Sequence, residues 1–162
     1  MQQEIYFEGS VITEWLKQSG DDRDMKLLED FKFFDLKMWW IAEKGSVING
    51  ASIPQAFWST VGSPFVGDYR RASVLHDVAC DKKEQPYKKV HRMFYDAMIC
   101  DGVSTPKAKL MYQAVRLFGP RWDKQKRLIA PPNIADIPND ILFNNLELDI
   151  DELDKYLDKL LP

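Results

Sequence analysis

A chain of 162 residues, 45% hydrophobic and 29% charged, is long enough for one domain with a core of its own. Its formal net charge of −3 and pI near 5.4 argue against a nucleic-acid partner. No apolar run reaches the roughly 18 residues of a membrane helix, and two cysteines, Cys80 and Cys100, are too few for a disulfide framework. Free, buried thiols are expected, although the two could pair. The first residues carry no basic n-region followed by an apolar stretch, so no signal peptide is visible and a cytoplasmic location is expected.

Residues 4–16 mix aromatic and β-branched positions, with Gly9-Ser10 as a break, and predict an extended segment or a strand pair. A polar loop follows over 18–24. Imperfect alternation, with apolar groups on both faces, then predicts a strand over 25–35, and a short Trp-rich apolar run a second over 38–42, joined by a hairpin loop at Asp35-Leu36-Lys37. The period changes at Ser52-Ile53-Pro54, where Ser52 reads as an N-cap and Pro54 as the opening of a short helix ending at Gly62. Asp68 reads as the cap of a helix over 69–81, whose face carries Tyr69, Ala72, Ser73, His76 and Cys80.

The next helix, over 87–100, has His91 at the edge of its apolar stripe. The short connection makes the two helices antiparallel neighbours with His76 and His91 in facing middle portions. A fourth helix opens at Ser104-Thr105-Pro106, is apolar over a wide arc and stops at Gly119-Pro120. The fold class is therefore α+β: a small N-terminal antiparallel sheet, then a compact four-helix region. The domain ends near residue 128. A Pro-rich linker over 129–145 leads to an acidic amphipathic helix over 146–162, striped by Leu146, Ile150, Leu153, Leu157 and Leu160. That stripe either folds back on the domain or docks on another chain; Ile150, Leu153, Leu157 and Leu160 are the candidate partner-binding residues.

Chemistry concentrates at His76-Asp77. Neighbours on a helix point about 100° apart, so the two do not pair, yet they can face one site obliquely, one as base and one as metal ligand. The plain alternative is a buried histidine bonded to a polar partner, with Asp77 exposed. His76, Cys80 and His91, with Asp77, also offer zinc-type ligands, Cys80 lying one turn beyond His76. A Cys80–His91 nucleophile pair lacks an evident third, orienting group. The loop over 46–52 could turn carbonyls toward a hard cation or be a plain strand-to-helix turn. Arg70-Arg71 could bind an anion or be solvated surface.

The motifs Asn49-Gly50-Ala51-Ser52-Ile53-Pro54, Phe57-Trp58, Gly62-Ser63-Pro64, Gly67-Asp68-Tyr69-Arg70-Arg71-Ala72, His76-Asp77 and Leu110-Met111-Tyr112 with Val115-Arg116-Leu117-Phe118-Gly119 together resemble domain of unknown function 1353 over roughly residues 27–122. That phage and bacterial family has no settled activity. The resemblance implies a phage or prophage setting, in the host cytoplasm or the virion, with self or other phage proteins as partners. The layout is more distantly similar to phospholipase A2. That similarity implies His76 as the base, Asp77 as a calcium ligand and the loop around Asn49-Gly50 as a source of carbonyls. The sequence departs from the family's pattern at Asn49, Cys80 and His91, where Asp, Tyr and Asp are usual. Losing the last of these removes the negative charge that would stabilise a protonated His76. Two functions are therefore expected: a non-catalytic interaction module, or a divalent-metal ester hydrolase using His76, Asp77 and His91, with calcium or zinc as the cofactor.

Overall fold

A computed structural model describes residues 2–17, 24–50, 52–63, 65–133, 136–137 and 140–161. The loop expected over 18–24 lies almost wholly outside them. In chain order the elements are β1 (Tyr6–Glu8), β2 (Thr13–Trp15), β3 (Met25–Leu27), β4 (Phe31–Phe34), β5 (Trp39–Ala42), β6 (Val47–Ile48), α1 (Trp58–Val61), α2 (Arg70–Lys82), α3 (Tyr87–Cys100), α4 (Thr105–Phe118), β7 (Arg121–Trp122), β8 (Leu128–Ile129) and α5 (Ile150–Leu160).

The expected strand over 25–35 is two strands serving two sheets. β3 is the centre of an antiparallel β2-β3-β6 sheet, and β4 the centre of an antiparallel β1-β4-β5 sheet. The break falls at residues 28–30, where Leu28 N–H donates to the Ile12 carbonyl at 2.8 Å and the Asp30 carboxylate accepts from Lys44 N–H at 2.7 Å. Leu27, Phe31 and Phe33, on one face of the sequence pattern, are buried although they come from different sheets, while Phe34 on the other face is half-buried against Tyr6 and Trp39. Likewise β1 and β2 do not pair with each other. The hairpin loop stands where expected, held by Asp35, whose carboxylate accepts from Lys37 N–H (2.9 Å), Met38 N–H (2.8 Å) and Trp40 Nε1–H (2.7 Å).

The helical region matches the predicted boundaries closely, since caps and period are local signals. α4 is buried along nearly its whole length from Ala108 to Phe118, with α3 on one side and α1 and α5 also against it. The start of the helical region differs. Pro54 precedes a 3₁₀ turn (Gln55–Phe57), only Trp58–Val61 is α-helical, and Ser52 caps neither. Nor does Asp68 cap α2; its carboxylate pairs with Lys107 at 3.0 Å. The hairpin β7–β8 was not anticipated, because two-residue strands leave no periodicity to read.

Gly62 ends α1 at φ +102°, and a Cβ there would lie 2.0 Å from the Tyr69 hydroxyl, which itself donates to the Ser63 carbonyl at 2.6 Å. Gly62→Ala is expected to cost about 1–3 kcal/mol in chemical unfolding, combining the left-handed strain with displacement of that hydroxyl. Tyr69→Phe on the same background should recover part of the loss.

The C-terminal helix folds back on the domain. A capping box, in which Asp149 accepts from Glu152 N–H at 2.8 Å and Glu152 accepts from Asp149 N–H at 3.2 Å, starts α5 at Ile150 and not at Leu146. Leu153 and Leu157 are fully buried in this chain's own core and Leu161 nearly so. As candidate partner-binding residues, Leu153 and Leu157 are therefore spent in cis, while Ile150 is half-buried and Leu160 is 43% exposed. The acidic face is not simply solvated. Asp154 and Asp158 each pair at 2.7 Å with Arg116 of α4, whose side chain is 1% exposed, and Asp154 also accepts from Arg92 at 2.8 Å and from the Tyr112 hydroxyl.

Candidate functional site

The antiparallel contact of α2 and α3 brings the two imidazoles together. His76 Nε2 lies 2.8 Å from His91 Nδ1, and both rings are wholly buried. Phe94 packs on His76 at a centroid distance of 4.5 Å, and Trp122 and Tyr87 flank His91. His76 Nδ1 is 3.1 Å from Ser52 Oγ, His91 Nε2 is 2.9 Å from the Pro120 carbonyl, and Cys80 Sγ is 3.6 Å from His76 Nε2.

The Pro120 carbonyl sets the direction of every proton in this chain. A carbonyl only accepts, so His91 Nε2 carries its hydrogen. Burial pushes the His91 pKa down to about 3, against the pull of that carbonyl and with the help of Arg116 and Arg121, so the ring is neutral and Nδ1 is bare. His76 must then donate from Nε2. Burial, with the neighbouring His91, holds His76 well below the ordinary imidazole range, so its Nδ1 is bare as well and accepts from the Ser52 hydroxyl. The result is a one-way chain, Ser52 O–H to His76 to His91 to Pro120 C=O, with each link satisfied inside the protein.

Asp77 is buried, not exposed, and it faces away from this chain. Its carboxylate accepts from the backbone N–H groups of Asn49 (2.9 Å), Gly50 (3.4 Å) and Ser52 (3.3 Å). Asp77 therefore anchors the loop that delivers Ser52. That loop presents N–H groups to the carboxylate, where a calcium-binding loop would present carbonyls beside it. The Gly50 carbonyl is itself taken by Ile53 N–H at 3.2 Å. The layout implied by phospholipase A2 is not reproduced here.

Burial, followed by the charges of Asp77 and Asp81, pushes the Cys80 thiol well up, which leaves it protonated and a poor nucleophile. Cys80 and Cys100 are both free thiols. Of the arginine pair, Arg71 bonds Asp101 through Nε at 3.0 Å and lies over the Phe7 ring, while Arg70 is exposed. Ser52 and the Pro120 carbonyl were not anticipated as members of the site. A serine before Ile-Pro looks like a helix cap, and a backbone carbonyl has no sequence signature.

Residues 25–115 match the family described as a protein of unknown function, DUF1353. The chain belongs to the DUF1353 family. Two relatives are the uncharacterized proteins y4iH and y4jT of Sinorhizobium fredii (strain NBRC 101917 / NGR234), 44% identical over 104 residues and 43% identical over 105 residues. Each alignment covers 64% of this chain, but only 44% and 31% of the relatives, so this DUF1353 chain spans less than half their length. No solved structure matches it. The matched segment contains β3 through most of α4. It thus holds Ser52, Asp77 and both histidines of this DUF1353 chain, while Pro120, β7–β8 and α5 lie beyond it.

Proposed function

We propose that this chain is a non-catalytic interaction module, serving as an accessory or virion-associated protein in a phage or prophage setting. The observation that carries the reading is the internal use of the His-Asp centre. Asp77 is bonded to three loop amides, and the buried histidines pass their hydrogen bonds to Ser52 and a backbone carbonyl, so the polar groups that would serve a reaction hold the fold instead. Charging such a pair is costly. A proton placed on His91 at neutral pH would have to overcome a pKa of about 3, on the order of 5 kcal/mol.

The surface supports an interaction role in its own right. On the outer face of the β1-β4-β5 sheet, Tyr6 and Trp39 meet edge to face at 5.4 Å, and Phe34 lies 5.2 Å from Trp39. Beside them Ile41 is 40% and Leu36 46% exposed. Large apolar groups clustered on a solvent face are a usual mark of protein contact. The phage setting comes from the family resemblance, and the free thiols fit a reducing host cytoplasm.

Two measurements test the reading. Ester and phosphodiester substrates should show no turnover with calcium or zinc that disappears in His76→Gln; turnover lost in that variant would overturn the non-catalytic role. In cells that encode the protein, cross-linking should join the tagged chain to a partner that Tyr6→Ser/Trp39→Ser fails to capture while keeping its circular dichroism. Equal capture by both would remove the aromatic ridge as the contact.

A further inference from the structure

We propose that His76, Cys80 and His91 form a binding site for zinc(II) or a similar borderline transition-metal ion, a property beyond the interaction role and independent of it. The three candidate ligand atoms lie within 4.8 Å of one another and all three residues are buried. In tetrahedral zinc sites, with Zn–N about 2.05 Å and Zn–S about 2.3 Å, a nitrogen and a sulfur stand about 3.6 Å apart and two nitrogens about 3.3 Å. Cys80 Sγ already stands 3.6 Å from His76 Nε2. His76 Nε2 and His91 Nδ1, at 2.8 Å, need to part by roughly half an ångström.

The surrounding groups fit as well as the ligands. A metal-bound histidine usually donates its other ring N–H to a carbonyl, carboxylate or water, which fixes ring orientation. His91 already donates Nε2–H to Pro120. His76 would do so to Ser52 Oγ at 3.1 Å once its proton sits on Nδ1. The proton balance is simple. The His76 proton moves from Nε2 to Nδ1, the Cys80 thiol proton leaves to solvent, and His91 keeps its present tautomer. One proton is released per ion bound. Thiolate with two imidazoles selects zinc-like ions over calcium or magnesium, and the buried carboxylate of Asp77 is committed to the loop. Three protein ligands leave a fourth position to water or a small anion. A metal here would tie α2 to α3 across the contact that the two histidines now bridge by a hydrogen bond.

Cobalt(II) titration of the full chain, reduced and freed of metal, tests this. One ion per chain is expected, with visible ligand-field bands and a thiolate-to-cobalt charge-transfer band. The bands should vanish in Cys80→Ser and persist in Cys100→Ser, and His91→Gln should weaken binding at least tenfold. Absence of binding, or a charge-transfer band that survives Cys80→Ser, would overturn the proposal. Should Cys80→Ser lose its circular dichroism, X-ray absorption of the zinc-loaded wild-type chain decides: a shell containing one sulfur is expected, and a shell of nitrogen and oxygen alone would refute the site.

Discussion

Lowering the pH from 7 to 5 in the presence of a chelator should cost the folded chain about 2 kcal/mol through His91 alone, and His76 adds to the loss. In the unfolded chain each imidazole takes up a proton as pH falls through about 6.5. In the folded chain His91 stays neutral down to about 3, and His76 is also held well below the ordinary range by burial. The unfolded state therefore binds more protons across this window, and stability falls as pH falls. His91 contributes about 2 kcal/mol over these two pH units, and His76 acts in the same direction. Asp96 works against them. Burial raises its pKa to about 6, so the folded state gains a proton there first. With its side chain 34% exposed and Arg92 3.6 Å away, water screens that return to about 1 kcal/mol. Urea unfolding at several pH values checks the slope. His91→Gln, which keeps a buried polar side chain and cannot titrate, should remove the His91 part. A stability that is flat between pH 7 and 5 would mean that the rings are charged in the fold.

Asp154→Ala should destabilise the chain by about 3–5 kcal/mol, the range for removing one partner of a buried ion pair. Arg116 is 1% exposed and stands between Asp154 and Asp158, each at 2.7 Å. Asp154 also accepts from Arg92 and from the Tyr112 hydroxyl, so one substitution takes an acceptor from three donors: Arg92 keeps Asp151, Arg116 keeps Asp158 and the Tyr112 oxygen, and the Tyr112 hydroxyl loses its partner. Lys88 and Arg116 share Asp158, which cannot take over all of the work. Arg116→Met combined with Asp154→Leu should restore most of the loss, because two matched apolar groups avoid the desolvation cost that the pair must overcome. Chemical unfolding measures the stability change, and protection of α5 amides in hydrogen exchange shows whether that helix detaches first. Full protection of α5 in Asp154→Ala would show that Leu153 and Leu157 hold it without the ion pairs.

The helical half was legible because its signals are local. Pro106 near the start of α4, Gly119 after its end, and the 3.6-residue stripes of α2 and α3 all act within one or two turns. The juxtaposition of His76 and His91 was legible for the same reason, since two helices joined by a short connection have little choice but to lie side by side. The strands were less so. A pattern with apolar groups on both faces over 25–34 cannot distinguish one strand in one sheet from two strands in two, and Gly9, at φ +90° against the Asp30 carbonyl, marks the crossing only once the fold is known.

By itself the sequence determined the class of the fold, the extent of the three central helices, the family and the placing of the two histidines in facing parts of neighbouring helices. It also determined that the last helix has one apolar and one acidic face. Tertiary structure alone decided where those faces and polar groups find partners. Ser52 turns to His76 and not to the helix after it, Asp77 turns to a loop 25–28 residues away, and α5 closes on Arg116 of its own chain. The reason is that helix formation rewards contacts three or four residues apart, whereas a buried donor or acceptor must be satisfied by whatever the packed chain places within about 3 Å.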